Sequence, residues 1–168
     1  EKIMKKMTMA IGIALASIAS LTQAAGYGVI DLERLVENSS YLKQQNTAVQ
    51  QKIKPQTTKI EQLSKELEAL QQRAQSNTKF TDAEKQKLSA QYQAKLQELN
   101  QLQQSVQDSV QDSIQQIRNV FDARVKQTAE QLRKENNLDV VLNKNSALAY
   151  DPKYDLTDKM IQKVNIIK

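Results

Sequence analysis

The chain has 168 residues, of which 39% are hydrophobic, 26% charged and 4% aromatic, with 24 basic and 19 acidic side chains. Three Gly, two Pro and no Cys or His exclude a Gly-rich phosphate loop, a Cys/His zinc site, a Cys nucleophile and a His-based triad. Asp and Glu alone could still supply carboxylate-pair chemistry or an oxygen-ligand metal site; neither pattern is found, so no enzyme, cofactor or metal is expected.

Residues 1–24 read as a cleavable export signal. Lys2, Lys5 and Lys6 precede an apolar run from Met9 to Leu21, and Ala24 and Ala25 put small residues where a signal peptidase cuts. The run of 13 residues is shorter than the ~20 that a membrane-spanning helix needs, which argues against a permanent anchor. Without its three Lys and one Glu the remaining chain carries 21 basic and 18 acidic side chains, a small excess. The expected compartment is the periplasm, where a chain without Cys cannot be mispaired.

The expected fold class is α+β and mostly α: a long antiparallel coiled-coil hairpin, 39–136, inserted between the two parts, 25–38 and 137–168, of a small β body. From Ser39 to Gln75 the residues Leu42, Val49, Ile53, Ile60, Leu63, Leu67 and Leu70 recur at sums of three and four, which is one stripe of a helix. The stripe stops at Ser76 to Lys79, so the tip falls at 76–81. Thr81 and Glu84 then have the form of a capping box that starts a second helix. This helix carries Leu88, Tyr92, Leu96, Leu99, Leu102, Val106, Val110, Ile114, Ile117, Phe121, Val125, Ala129 and Leu132 and ends near Asn136 and Asn137.

In an antiparallel hairpin, facing residues have numbers with a constant sum. Leu42 with Ile117, Val49 with Val110, Ile53 with Val106, Ile60 with Leu99, Leu63 with Leu96 and Leu67 with Tyr92 all give 159, and Leu70 with Leu88 gives 158. These residues are the expected seam, and Gln56 is the gap in the first stripe. At ~1.5 Å per residue the second helix is on the order of 80 Å long, an arm that projects beyond any body this chain can build. Apolar spacing is tighter in the first helix than in the second, which predicts that the two splay or curve towards the base. Pro55 removes a backbone bond inside the first helix, which predicts a kink within a turn of Lys54 and a hinge there.

Tyr27 to Asp31, Leu138 to Asn143 and Ala147 to Tyr150 read as three strands of one sheet, the last two joined by a turn over Asn143 to Ser146. Asp155 to Asp158 begins a closing helix whose Leu156, Met160, Ile161 and Val164 can cover one face. A body of about 45 residues seldom buries enough apolar surface to fold alone, and neither disulfide nor metal is at hand. An obligate oligomer is therefore expected, with Val29, Ile30, Val140, Val141, Leu142, Leu148 and Tyr150 in its core. Nucleic acid is not an expected partner, because no basic cluster is interleaved with aromatic residues. A structural or adaptor coiled coil of the envelope is the alternative; it calls for an apolar tip, whereas Ser76 to Lys79 is polar.

YGVIDLERL from Tyr27 to Leu35, LDVVLNKNSALAY from Leu138 to Tyr150 and DLTD from Asp155 to Asp158, in this order around a long amphipathic stretch, resemble the Skp (OmpH-like) family of periplasmic chaperones. The resemblance covers essentially the whole chain after the signal. It implies a homotrimer whose strands form a barrel-like core, with three arms around a cavity. Unfolded outer-membrane proteins would be held there without ATP and kept from aggregating during envelope assembly. It also implies contact with lipopolysaccharide or the membrane surface through basic side chains of the hairpin. That motif cannot be matched residue by residue, and Lys79, Phe80, Lys85, Lys87 and Lys95 near the tip are the candidate client or lipopolysaccharide contacts. Between Lys43 and Glu130 lie 13 basic and 10 acidic residues, a smaller excess than the resemblance implies, so electrostatic capture is expected to be weaker here.

Overall fold

The elements follow in the order β1 (Tyr27–Ile30), α1 (Leu32–Glu37), α2 (Ser40–Ser76), α3 (Asp82–Glu135), β2 (Val140–Asn143) and α4 (Thr157–Ile166), with single turns of 3₁₀ helix at Lys144–Ser146 and Pro152–Tyr154. This computed structural model describes residues 25–76 and 79–167. The expected export signal and, at the tip, Asn77 and Thr78 lie outside the described residues.

Each long helix is bounded by local chemistry. The Ser39 hydroxyl accepts the Leu42 amide at 3.2 Å and opens α2. At the head of α3 the Glu84 amide donates to the Thr81 hydroxyl, and the Thr81 amide donates back to the Glu84 carboxylate at 2.8 Å, a complete capping box. The other end of α3 is a Schellman motif. Leu138 N–H reaches the Arg133 carbonyl at 2.8 Å and Asn137 N–H reaches that of Lys134 at 3.2 Å, while Asn137 takes φ 51°, a left-handed conformation that Asn tolerates. Six-residue α1 is too short to show a period in sequence. It exists because Asp31 caps it, accepting the Arg34 amide at 3.1 Å.

α2 and α3 pack antiparallel along the arm. Gln56 donates to Ser105, Lys59 pairs with Glu98 and Lys95 pairs with Glu66; the position numbers of these partners add to 157 or 161, on either side of 159. Leu63 and Leu67 are buried in mid-arm, and the other expected seam residues are half-buried. That is the ceiling for a two-layer element, since among the described residues no third helix covers the seam. Gln56 is therefore a polar rung across the seam rather than a gap. α2 runs through Pro55 without interruption, and the Gln51 carbonyl goes without the amide that Pro cannot supply.

The sheet differs from the expected one. Among the described residues it has two strands, β1 and β2, parallel and in register from Tyr27 opposite Val140 to Ile30 opposite Asn143, and the whole arm is their crossover. Ala147 to Tyr150 is not a strand. The Asn143 side chain accepts the Asn145 amide and closes a 3₁₀ turn that carries the chain off the sheet. The place beside β1 is taken by Asp155, which bridges to Val29, while the Leu156 amide donates to the Val29 carbonyl at 2.8 Å.

The body core is made by Ile30, Leu35, Phe121, Leu132, Leu156, Met160 and Val164. Phe121 and Leu132 belong to α3, so the base of the arm is part of the body rather than an attachment to it. The Asn165 side chain accepts the Ser40 amide and donates to the Asn38 carbonyl, which ties α4 to the corner where the arm departs. A Cβ on Gly28 would stand 2.7 Å from a Leu156 methyl and 2.9 Å from one of Leu138. Gly28→Val is expected to destabilise the fold by about 2 kcal/mol, the cost of forcing volume into a packed core, read as a lower urea midpoint with unchanged slope.

Candidate functional site

Three surfaces are left over once the chain has folded. The first is the outer face of the sheet. Side chains alternate across a strand. Ile30 and Val141 pack into the core, so Tyr27, Val29, Val140 and Leu142 share the other face. A solvated face would be polar, and this one is apolar. Val29 is buried, Val140 and Leu142 are half-buried and Tyr27 is exposed. Leu148 stands wholly in solvent nearby in sequence, at 109% exposure, with Tyr150 half-buried. β2 has no neighbour on its outer edge among the described residues, which leaves a row of unpaired backbone groups.

The second surface is an apolar groove of about 440 Å³ at the base of the arm, walled by Leu32, Val36, Leu42, Ile114, Phe121 and Val125 among others. Val36 and Ile114 are about half exposed, and Val120, also exposed, lines a separate hollow with Tyr41 and Gln45. Ile114 belongs to the apolar stripe of the second helix read from the sequence, whereas Val36 and Val120 belong to neither stripe. Ile114 and Val120 do carry a signal: in the 159 register they face Gln45 and Ser39, so they are apolar positions of α3 with no apolar partner in the seam. Phe121, one wall of the groove, is fixed by packing at the junction. The Tyr41 and Phe121 rings stack at 6.5 Å, and the Arg124 guanidinium lies 4.1 Å from the Tyr41 ring centre while donating to the Ile167 carbonyl at 2.7 Å.

The third surface is the tip. Lys79 and Lys87 are exposed. Lys85 is exposed as well and lies 3.5 Å from Asp82. Phe80 is half-buried under the Arg73 guanidinium, 5.9 Å from its ring centre. Lys95 stands apart from this group: its ammonium pairs with Glu66 across the seam, which raises its pKa and lowers that of Glu66, so it serves the hairpin rather than the tip surface.

Among the described residues no group of His, Cys, Asp or Glu could hold a metal ion, and no helix is long and apolar enough to cross a membrane. The shifted carboxylates are structural. The Arg133 side chain holds Glu130 down at about 2, with help from Lys134. Asp31, 8% exposed, is held below its ordinary value by the Lys144 ammonium at 2.8 Å and by the Arg34 amide. A carboxyl with a lowered folded pKa contributes stability above its unfolded value and loses it as pH falls through the folded one. The melting temperature is therefore expected to drop below about pH 4, and Asp31→Asn to flatten part of that drop in a series of thermal melts.

The sequence profile of the family described as outer membrane protein (OmpH-like) matches residues 26–164. Over 168 residues the chain is 21% identical to a Skp-like protein of Pseudomonas aeruginosa, covering 98% of this chain and 100% of that one. It also resembles a crystal structure presented as that of an OmpH-like outer membrane chaperone from Caulobacter crescentus, with a TM-score of 0.55, 17% identity and 84% of each chain covered; at that identity the likeness is one of fold. The profile match spans the sheet, the arm and most of α4, and the chain belongs to the OmpH-like outer membrane protein family.

Proposed function

We propose that the protein is an ATP-independent holdase chaperone of the periplasm, which as a homotrimer keeps unfolded outer-membrane proteins from aggregating in a cavity between its arms. The observation that carries this reading is the apolar outer face of the sheet at the root of a very long arm. A body that hides this face must assemble, and assembly through the body sets several arms around one space. Membership of the OmpH-like family supports the same conclusion. Unfolded chains share no common surface, so a holdase needs many weak contacts rather than a shaped pocket. Val36, Ile114 and Val120 at the base, with the polar and basic faces of the arm, are contacts of that kind. Lys79, Lys85 and Lys87 remain the candidate contacts for client or for lipopolysaccharide at the membrane surface.

The test is light scattering after dilution of a urea-unfolded outer-membrane β-barrel protein from denaturant. Scattering is expected to be suppressed at one assembled chaperone per client without nucleotide. Scattering equal to that of the client diluted into buffer without the protein overturns the reading. An adaptor of the envelope finds one feature in its favour, an apolar hollow at the tip, and the same assay separates it, because an adaptor leaves the barrel to aggregate.

Pro55 is proposed as the hinge that lets the cavity expand. Pro55→Ala restores one backbone bond and is expected to raise amide protection along residues 45–60 and to narrow the range of client sizes held. Unchanged exchange and an unchanged range together remove the hinge.

A further inference from the structure

The hollow at the tip is a cup of about 520 Å³, walled by Leu70, Ala74, Phe80, Leu88 and Tyr92, with Gln71 and Ser89 adding polar groups and Lys85 its charge. It follows from the register of the hairpin. Position 74 falls opposite position 85 in the 159 register, so the last rung of the seam sets a methyl group against a long charged side chain whose ammonium seeks water. Neither fills the seam, and Phe80 in the turn closes the end of the space that results. The charge around it is uneven. Glu84 is taken up by its capping hydrogen bonds from Thr81, which hold its pKa below the ordinary value. Asp82 is 99% exposed beside Lys85, an exchangeable contact in water. Arg73 and Lys87 flank the back of Phe80.

We propose that the cup is a binding site for one aromatic side chain of an unfolded polypeptide in extended form, with a carboxylate two residues along the same segment meeting Lys85. The inference rests on the holdase reading and adds a preferred sequence to it. The volume suits a ring and its surroundings. Phe80 and Tyr92 offer aromatic walls. In an extended chain, residues i and i+2 project to one face about 6.6 Å apart, a spacing that carries a carboxylate from the cup to its cationic rim. The charge complementarity selects an acidic neighbour over a basic one.

The chain has no Trp, so a peptide Trp reports its own burial by fluorescence. The probes are end-capped peptides Gly-Ser-Trp-Ser-Asp-Ser-Gly, the same with Lys for Asp, and the same with Ala for Trp, the last used as an unlabelled competitor. With the whole protein, the Trp–Asp peptide is expected to bind saturably with a blue shift, the Trp–Lys peptide to bind about three- to fivefold more weakly as befits an exposed ion pair, and the Ala–Asp peptide not to compete. Lys85→Glu is expected to reverse the order of the two Trp peptides. Ala74→Phe puts a ring of the protein's own into the cup and is expected to weaken both at least about tenfold, with helicity unchanged in both variants. Equal binding of the two charge forms by the parent, or binding indifferent to Ala74→Phe, overturns the site. If that happens while the barrel protein is still kept soluble, the cup fails and the holdase reading stands. Peptides bound in the expected order beside an aggregating barrel leave the cup in place and remove the holdase.

Discussion

Leu142→Asp is expected to break the assembled protein into single subunits and to abolish suppression of aggregation in the same step. Leu142 is half-buried in the isolated chain on the outer sheet face, beside Val29 in the ladder. The oligomer proposed above buries the rest of it. A carboxylate at that position has no cation opposite it on β1, and taking it out of water costs roughly 4 kcal/mol per subunit, about a thousandfold in association. The sheet itself tolerates the change, because Leu142 points away from the core that holds α4 and α3 together. Light scattering after size exclusion is expected to give the subunit mass, with helicity kept. Loss of assembly with undiminished protection of the client would show that single arms suffice and that no enclosed cavity is needed.

Leu132→Ala attacks the other side of the architecture and is expected to cost about 3 kcal/mol, the loss of buried methyl groups plus the cavity they leave. Leu132 is wholly buried, three residues before the end of α3, in the cluster it shares with Leu156, Met160 and Val164. Surface ties also link this end of α3 to α4, such as Lys163 with Glu135 at 2.9 Å, but an exposed pair contributes little. Packing of Leu132 therefore decides whether the arm stands on a rigid base. A urea titration is expected to show the whole loss as a lower midpoint. An equal loss from Leu63→Ala, in mid-arm and equally buried, would mean that the arm and not the body limits stability.

The long helices were legible because their ends are written in local chemistry: Ser39, Thr81 with Glu84, and Asn136 with Asn137 each act within a turn of their own position. The register of the hairpin was legible too, since apolar stripes on two helices admit few constant sums, and the polar partners Gln56 with Ser105 and Lys59 with Glu98 lie close to the one found. The body was harder to read. Ala147 to Tyr150 alternates small and apolar residues like a strand, but pairing is decided by where the chain is delivered, and the 3₁₀ turn at Lys144–Ser146 delivers it elsewhere. α1 depends on the Asp31 cap rather than on a period. The site was legible in part. Lys85, Lys87 and Phe80 gather at the tip, while Lys95, four residues from Gln91 on the same helix, is turned into the seam by Glu66, a partner 29 positions away that spacing alone does not reveal. The groove at the base was hidden because Val36 and Ile114 come from elements far apart in sequence.

The trimeric holdase is tested most directly by the solution mass of residues 25–168, measured by light scattering after size exclusion, alone and with a urea-unfolded outer-membrane β-barrel protein. Three subunits are expected in the free protein, and with the client a soluble complex heavier by one barrel chain. A single subunit that leaves the barrel to aggregate contradicts the trimeric holdase.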